Sequence, residues 1–249
     1  MPFQPWRALP GKGVLFMLNL FSAVALVYEG YNQGVYGSVS GTPGFISMSN
    51  IGADGEVLDT TKQGGLAAAY YLGAIFGGFI GGWLGDKLGR KKGTFFGAVL
   101  SLIGSGLQCG SINSEMFICA RVIAGLGIGF VMALIPSWVS ELSEAHDRGS
   151  SFSIVFVSNF LGIFLANWIN FGVRESNETF RWRFPLGFMC ILMVLVAATV
   201  FLVPGKRPHD HYIEFILTDV RITSVAHGKS PTSASHRYSL QDSWRQRHQ

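Results

Sequence analysis

The sequence predicts an all-α integral membrane protein of six transmembrane helices, and three features carry that expectation. Of its 249 residues 49% are apolar and only 14% charged, with a mean hydropathy of +0.34, whereas an ordinary soluble domain carries about 25% charged residues. Apolar segments of spanning length recur along the first 203 residues. The bases gather in alternate joints between them, the asymmetry that orients helices in a bilayer. The net charge of +4 does not indicate nucleic acid, because the bases form no stripe on a folded face. Cys109, Cys119 and Cys190 lie inside apolar segments without metal-ligand spacing, so neither a disulfide frame nor a metal centre is expected.

Residues 1–13 are polar, with Arg7 and Lys12, and read as a cytoplasmic N-terminus. Val14 to about Ser38 is mainly apolar until Glu29, Asn32 and Gln33. That run is too long for the apolar core of a signal peptide, so it is the first helix. Gly41 to Thr61, rich in Gly, Ser and Asp, reads as an external loop. Gly64 to Leu84 is the second helix, with Gly73, Gly77 and Gly81, and also Gly78 and Gly82, at four-residue spacing. Small residues on one face let helices approach closely in lipid. The next stretch, to Lys92, packs Asp86, Lys87, Arg90, Lys91 and Lys92 around Gly85 and Gly89. It reads as a tight cytoplasmic hairpin, closed by glycine and held inside by its bases.

Gly93 to Gly110 is the third helix, and Glu115 to about Val139 the fourth, carrying Arg121 and a small-residue face at Gly125 and Gly129. A short charged loop, Glu141 to Gly149, leads to the fifth helix, Ser150 to Gly172. A second external loop, Val173 to Arg181, leads to the sixth, Trp182 to Val203. Roughly 20 helical residues cover a bilayer core of about 30 Å, and each segment has that reach. With both ends inside, the cytoplasmic joints hold Arg7, Lys12, Lys87, Arg90, Lys91, Lys92, Arg148 and seven tail bases, against Lys62, Arg174, Arg181 and Arg183 outside. From Pro204 to Gln249 no apolar run approaches spanning length, and a disordered cytoplasmic tail is expected. The alternative for Tyr212 to Val220 is an amphipathic helix on the membrane surface.

The hairpin order Gly85-Asp86-Lys87-Leu88-Gly89-Arg90-Lys91-Lys92 resembles the signature loop between helices two and three of the major facilitator superfamily, in its sugar-porter form. Four further stretches are similar to that family: Gly30-Tyr31-Asn32-Gln33-Gly34-Val35 in helix one; Arg121 with Gly125, Gly127 and Gly129; Pro136-Ser137-Trp138-Val139-Ser140-Glu141 with Arg148-Gly149; and Trp182-Arg183. The likeness runs from about Glu29 to Val203, the N-terminal half of a major-facilitator bundle. After helix six the family's Pro-Glu-Ser-Pro-Arg motif is replaced by Pro204-Gly205-Lys206-Arg207-Pro208-His209. What the resemblance implies is transport of a sugar or related polyol at the plasma membrane, by two six-helix halves that rock around a midplane site.

The resemblance also assigns residues. Asp86, Arg90, Glu141 and Arg148 correspond to the charge network that latches the two halves; the competing reading is solvated loop charge. Arg121, a charge inside a span, needs a partner within the bundle. In proton-coupled members that partner is a helix-one aspartate, and here the position holds Asn32. An amide takes up no proton near neutral pH, so facilitated diffusion is the simplest expectation. Glu29, three residues earlier on the same helix face, is the alternative acid, against a reading in which it only pairs or snorkels at a helix end; Gln33, next to Asn32, joins the candidate substrate residues. On helix five the family's sugar-contacting glutamine falls at Phe156, and Asn159, Asn167 and Asn170 supply amides nearby. A hexose is therefore the default substrate, with a more apolar or carboxylated polyol as the alternative.

No enzyme is expected. Gly125-Leu126-Gly127-Ile128-Gly129 lacks the strand-turn-helix context of a dinucleotide fingerprint, so no cofactor is expected. His209 and His211 form no second cluster with other ligands. Asn177-Glu178-Thr179 fits a glycosylation sequon, read as unmodified because its loop is so short. The expected partners are the bilayer, a small solute and a second transporter half or oligomer. The alternative function is a six-helix chain that does not transport alone but serves as a fragment or partner of a full-length relative.

Overall fold

The computed structural model describes residues 11–53, 56–142 and 148–201. They belong to one compact unit, Met1–Gly205. A second unit, Lys206–Gln249, lies outside the described residues, and with it the expected tail, the amphipathic alternative, His209 and His211. Helices α1 (Gly11–Val39), α3 (Thr60–Leu88), α4 (Arg90–Cys109), α5 (Ser114–Leu142), α6 (Arg148–Gly172) and α7 (Glu178–Thr199) form the bundle. Short α2 (Pro43–Ser49) and the two-residue strands β1 (Gly52–Ala53) and β2 (Glu56–Val57) lie between α1 and α3. Among the described residues α3, α5 and α7 are both long and apolar enough to cross a bilayer.

On α3 the packing is that of a membrane helix, with mostly small residues inside and large apolar ones outside. On α3 the buried positions are Leu66, Tyr70, Gly73, Gly77, Gly81 and Gly85, while Leu72, Ile75, Phe76, Phe79, Ile80 and Trp83 face outward. An added Cβ at Gly73 would meet the Val122 carbonyl, one at Gly77 the Leu126 carbonyl and one at Gly85 the Leu134 side chain. These contacts run in step, so α3 and α5 are parallel neighbours in backbone contact. Gly125 and Gly129 complete the seam from α5, against Tyr70 and Ala74. The second row behaves differently. Gly78 has only a distant neighbour at 3.9 Å and Gly82 none within 4 Å, because a helix can seat one narrow stripe against its partner.

Three loop expectations are corrected. The hairpin after helix two is a single residue, Gly89 with φ +86°; α3 runs through Lys87, and α4 begins at Arg90. Only glycine adopts that φ freely, so the turn is made there. The loop after helix four shrinks, since α5 continues through Glu141 to Leu142 and Arg148 starts α6. The stretch read as a polar loop after helix one contains α2, which Pro43 starts in its first turn. Phe45 and Ile46 are buried, which offsets the cost of ordering the segment. At the other end of the bundle, the Lys91 ammonium donates to the Phe201 carbonyl at 2.8 Å, joining the start of α4 to the residues after α7.

Candidate substrate and coupling site

Five contacts, between three pairs of helices, set the levels around the site. Phe21 packs on Trp138 and Tyr36 on Phe117, so α1 and α5 are antiparallel. Gly93 abuts Leu134 and Gly104 abuts Ala124, so α4 and α5 are antiparallel too. The hydroxyls of Tyr28 and Ser105 lie 3.0 Å apart, which fixes α1 against α4. One turn beyond that pair are Asn32 on α1 and Gln108 on α4, and one turn from Ala124 on α5 is Arg121. Register thus puts the three at about one level of the bundle.

Arg121 is 3% exposed. Its guanidinium carbon lies 4.0 Å from the Tyr36 ring centroid, 5.5 Å from Phe117 and 5.7 Å from Tyr70. Each such stack contributes about 0.5–2 kcal/mol, against a desolvation cost of several kcal/mol for a buried ion. The rings hold the group in place without neutralising it. Its Nε and Nη2 have no hydrogen-bond partner among the described residues. Nor does Asn32 Nδ2, or either amide atom of Gln108. Buried polar groups left this way cost about 1–3 kcal/mol each, so an assembly of them is a place to look for a ligand.

Glu29 is the nearby acid, but it is engaged elsewhere. Its Oε2 accepts from the Tyr70 hydroxyl at 2.6 Å and its Oε1 from Gln33 Nε2 at 3.2 Å. Among the described residues no ion pair joins it to Arg121. Tyr70 therefore stands between the charges, its hydroxyl on the carboxylate and its ring beside the guanidinium. Tyr70, Tyr36, Phe117 and Gln108 are not among the residues that the sequence singles out. Gln108 was detectable, because an amide inside an apolar segment is costly to leave without a partner. The three rings were not distinguishable from ordinary core aromatics.

The remaining candidates lie apart from this cluster. Phe156, on α6, is exposed. Asn159 is half-buried, with its carbonyl against Gly30 of α1. Asn167 and Asn170 donate to carbonyls of their own helix, Ile163 and Ala166. Asp86 and Arg90 pair at 3.0 Å across the Gly89 turn. The side chains of Glu141 and Arg148 lie outside the described residues, so the four-membered charge network is represented by that pair. Asn177 is exposed and sits at the N-cap of α7.

Six long helices packed through glycine seams, apolar outside and with charged and amide groups meeting within, define a multi-pass membrane protein with the fold of one half of a major-facilitator transporter. The fold matches the xylose transporter XylE from E. coli in its inward-open form, with TM-score 0.66 at 23% identity over 77% of this chain and 49% of that one. It matches the XylE structure bound to 6-bromo-6-deoxy-D-glucose with TM-score 0.69 at 22% identity. The family profile described as "Sugar (and other) transporter" fits residues 18–206. The chain belongs to that family, within the major facilitator superfamily. Among its relatives are the MFS-type transporter oryC of Aspergillus oryzae, 29% identical over 79% of this chain and 36% of that protein. The low-affinity glucose transporter HXT1 of Saccharomyces cerevisiae is 30% identical over 81% of this chain and 37% of that one. The chain thus spans well under half the length of the curated relatives it matches.

Proposed function

We propose that this chain moves a sugar or related polyol across the plasma membrane by alternating access, as one half of a two-bundle transporter. The observation that carries the reading is the cluster of Glu29, Gln33, Tyr70, Asn32 and Arg121 inside a bundle of this family. A polar solute needs fixed amides, hydroxyls and charges in an otherwise apolar enclosure, and this is where the described residues concentrate them. Phe156 and Asn159 of α6 are proposed to flank the solute path. The pair Asp86–Arg90, with Glu141 and Arg148, is proposed as the latch at the cytoplasmic face, with both termini on that side, a reading that the distribution of bases supports.

The protonatable group proposed for coupling is Glu29, displaced one helical turn from the position that Asn32 fills. Its partner Tyr70 spans the distance to Arg121, so protonating the carboxylate would change what the arginine faces. In vesicles containing the purified chain, radiolabelled glucose or xylitol uptake is expected, with an inward proton gradient raising it. Glu29→Gln should remove the gradient-driven part and leave downhill exchange. Gradient-driven uptake that survives the substitution would exclude Glu29 as the coupling acid.

A second reading keeps the same cluster but assigns it to a larger assembly. In it the six-helix unit does not transport alone and completes or modifies a full-length relative. Vesicles in which the chain is inserted but inert, and which gain uptake on adding a second bundle, would favour it.

A further inference from the structure

We infer that α7 is ended from outside itself: Lys91 and Phe95 of α4 form a two-point clasp on Phe201, and the clasp fixes where the chain leaves the bundle. The inference goes beyond the transport reading and does not rest on it. Every α-helix ends on carbonyls that have no partner within it and on a partial negative charge. Helix α7 supplies little for its own end. Its last turn carries no base, and the Thr199 hydroxyl donates to the Leu195 carbonyl of the same helix at 2.8 Å. Helix α4 has the opposite misfit. Its first turn carries Arg90, Lys91 and Lys92 and no acid, although the start of a helix favours anions over cations.

The two misfits answer each other. Arg90 turns back to Asp86 at 3.0 Å, and the Lys91 ammonium donates to the Phe201 carbonyl at 2.8 Å. A base kept only by the general preference for the cytoplasmic face would extend toward headgroups, as exposed Lys92 is free to do. Lys91 is half-buried instead and directed at the carbonyl. Phe95 follows Lys91 by four residues, so both lie on one face of α4. The Phe95 ring meets the Phe201 ring edge-on, with centroids 5.0 Å apart, and the Lys91 ammonium lies 5.7 Å from that same ring. Phe201 is therefore gripped by its backbone and by its side chain. Helix ends fray unless they are held, so the charge on Lys91 decides whether the exit of the chain stays bound to α4 or opens.

The test is hydrogen exchange, read by mass spectrometry on the full 249-residue chain in nanodiscs, at the peptides that end α7. Lys91→Met keeps most of the side chain and removes its charge. It should speed exchange of the Val200 and Phe201 amides about tenfold, the scale of one lost hydrogen bond to a charged group, while the α3–α5 seam keeps its protection. Lys91→Arg, which retains a charged donor, should restore most of the protection. Phe95→Ala should accelerate the same amides by a smaller factor. Lys92→Met removes an equal charge from the same turn and should leave them unchanged. Unchanged exchange in Lys91→Met would overturn the clasp, and unchanged exchange in Phe95→Ala would overturn its aromatic half. Equal acceleration in Lys91→Met and Lys92→Met would overturn it in favour of a general effect of charge at the turn. Acceleration spread evenly over α4 and α7 would overturn it in favour of a role for Lys91 in the stability of the whole seam.

Discussion

Helix α5 meets two of its neighbours, α3 and α1, in opposite ways. Against α3 it presents Gly125 and Gly129, and the α3 stripe of Gly73, Gly77 and Gly81 touches its backbone directly. Against α1 it presents Arg121, Phe117 and Trp138, which meet Tyr36 and Phe21 through rings and charge. The first seam has no room to change its spacing. The second is built from side chains whose polar atoms are not all satisfied, and side chains can change rotamer where backbone contact cannot yield. One helix thus couples a fixed joint to an adjustable one, and the adjustable face carries the chemistry.

The contrast predicts graded responses. The largest is expected from Gly77→Leu, whose side chain would enter the space of the Leu126 carbonyl. Overpacking costs about 1–3 kcal/mol when side chains can yield, and here the obstacle is backbone. Loss of the monodisperse peak in detergent chromatography is expected, and a normal peak would mean that the seam can open. Tyr70→Phe should have an intermediate effect, because it keeps the ring in the fixed seam and deletes the hydroxyl on Glu29 from the adjustable one. Removing one hydrogen bond to a charged group costs about 1–3 kcal/mol. The expected result is a lowered melting temperature together with altered proton dependence of uptake. The smallest effect is expected from Gly82→Ala. It lies on the same helix with nothing within 4 Å, and alanine is favoured over glycine in a helix by about 1 kcal/mol. A melting temperature unchanged or slightly raised would sharpen the contrast with Gly77.

Helix existence was legible from apolar length, and the family from the hairpin and the motifs around Arg121. Glycine spacing announced the α3 seam but not which of two interleaved rows would form it. Gly77 and Gly78 have the same neighbours in sequence, and only the position of α5 separates them. Arg121 was legible as a buried charge, since few residues are so costly in a span. Its surroundings were not. Tyr36 lies 85 residues away along the chain and Tyr70 lies 51 away, and an aromatic ring bears no sequence mark for the cation it will face. The burial of Phe45 was missed for a related reason, because the Gly-, Ser- and Asp-rich composition around it described a loop and masked two anchoring residues.

Phe45 of α2 packs edge-on against Tyr36, Phe117 and Trp182. Two of those rings are also the ones stacked around Arg121. The short helix between α1 and α3 therefore acts as a keystone over the charged chamber. Whatever grips α2, whether an antibody fragment or an engineered staple, would press on the arginine through two rings without entering the solute path, so this small segment offers a handle on the buried site from outside it.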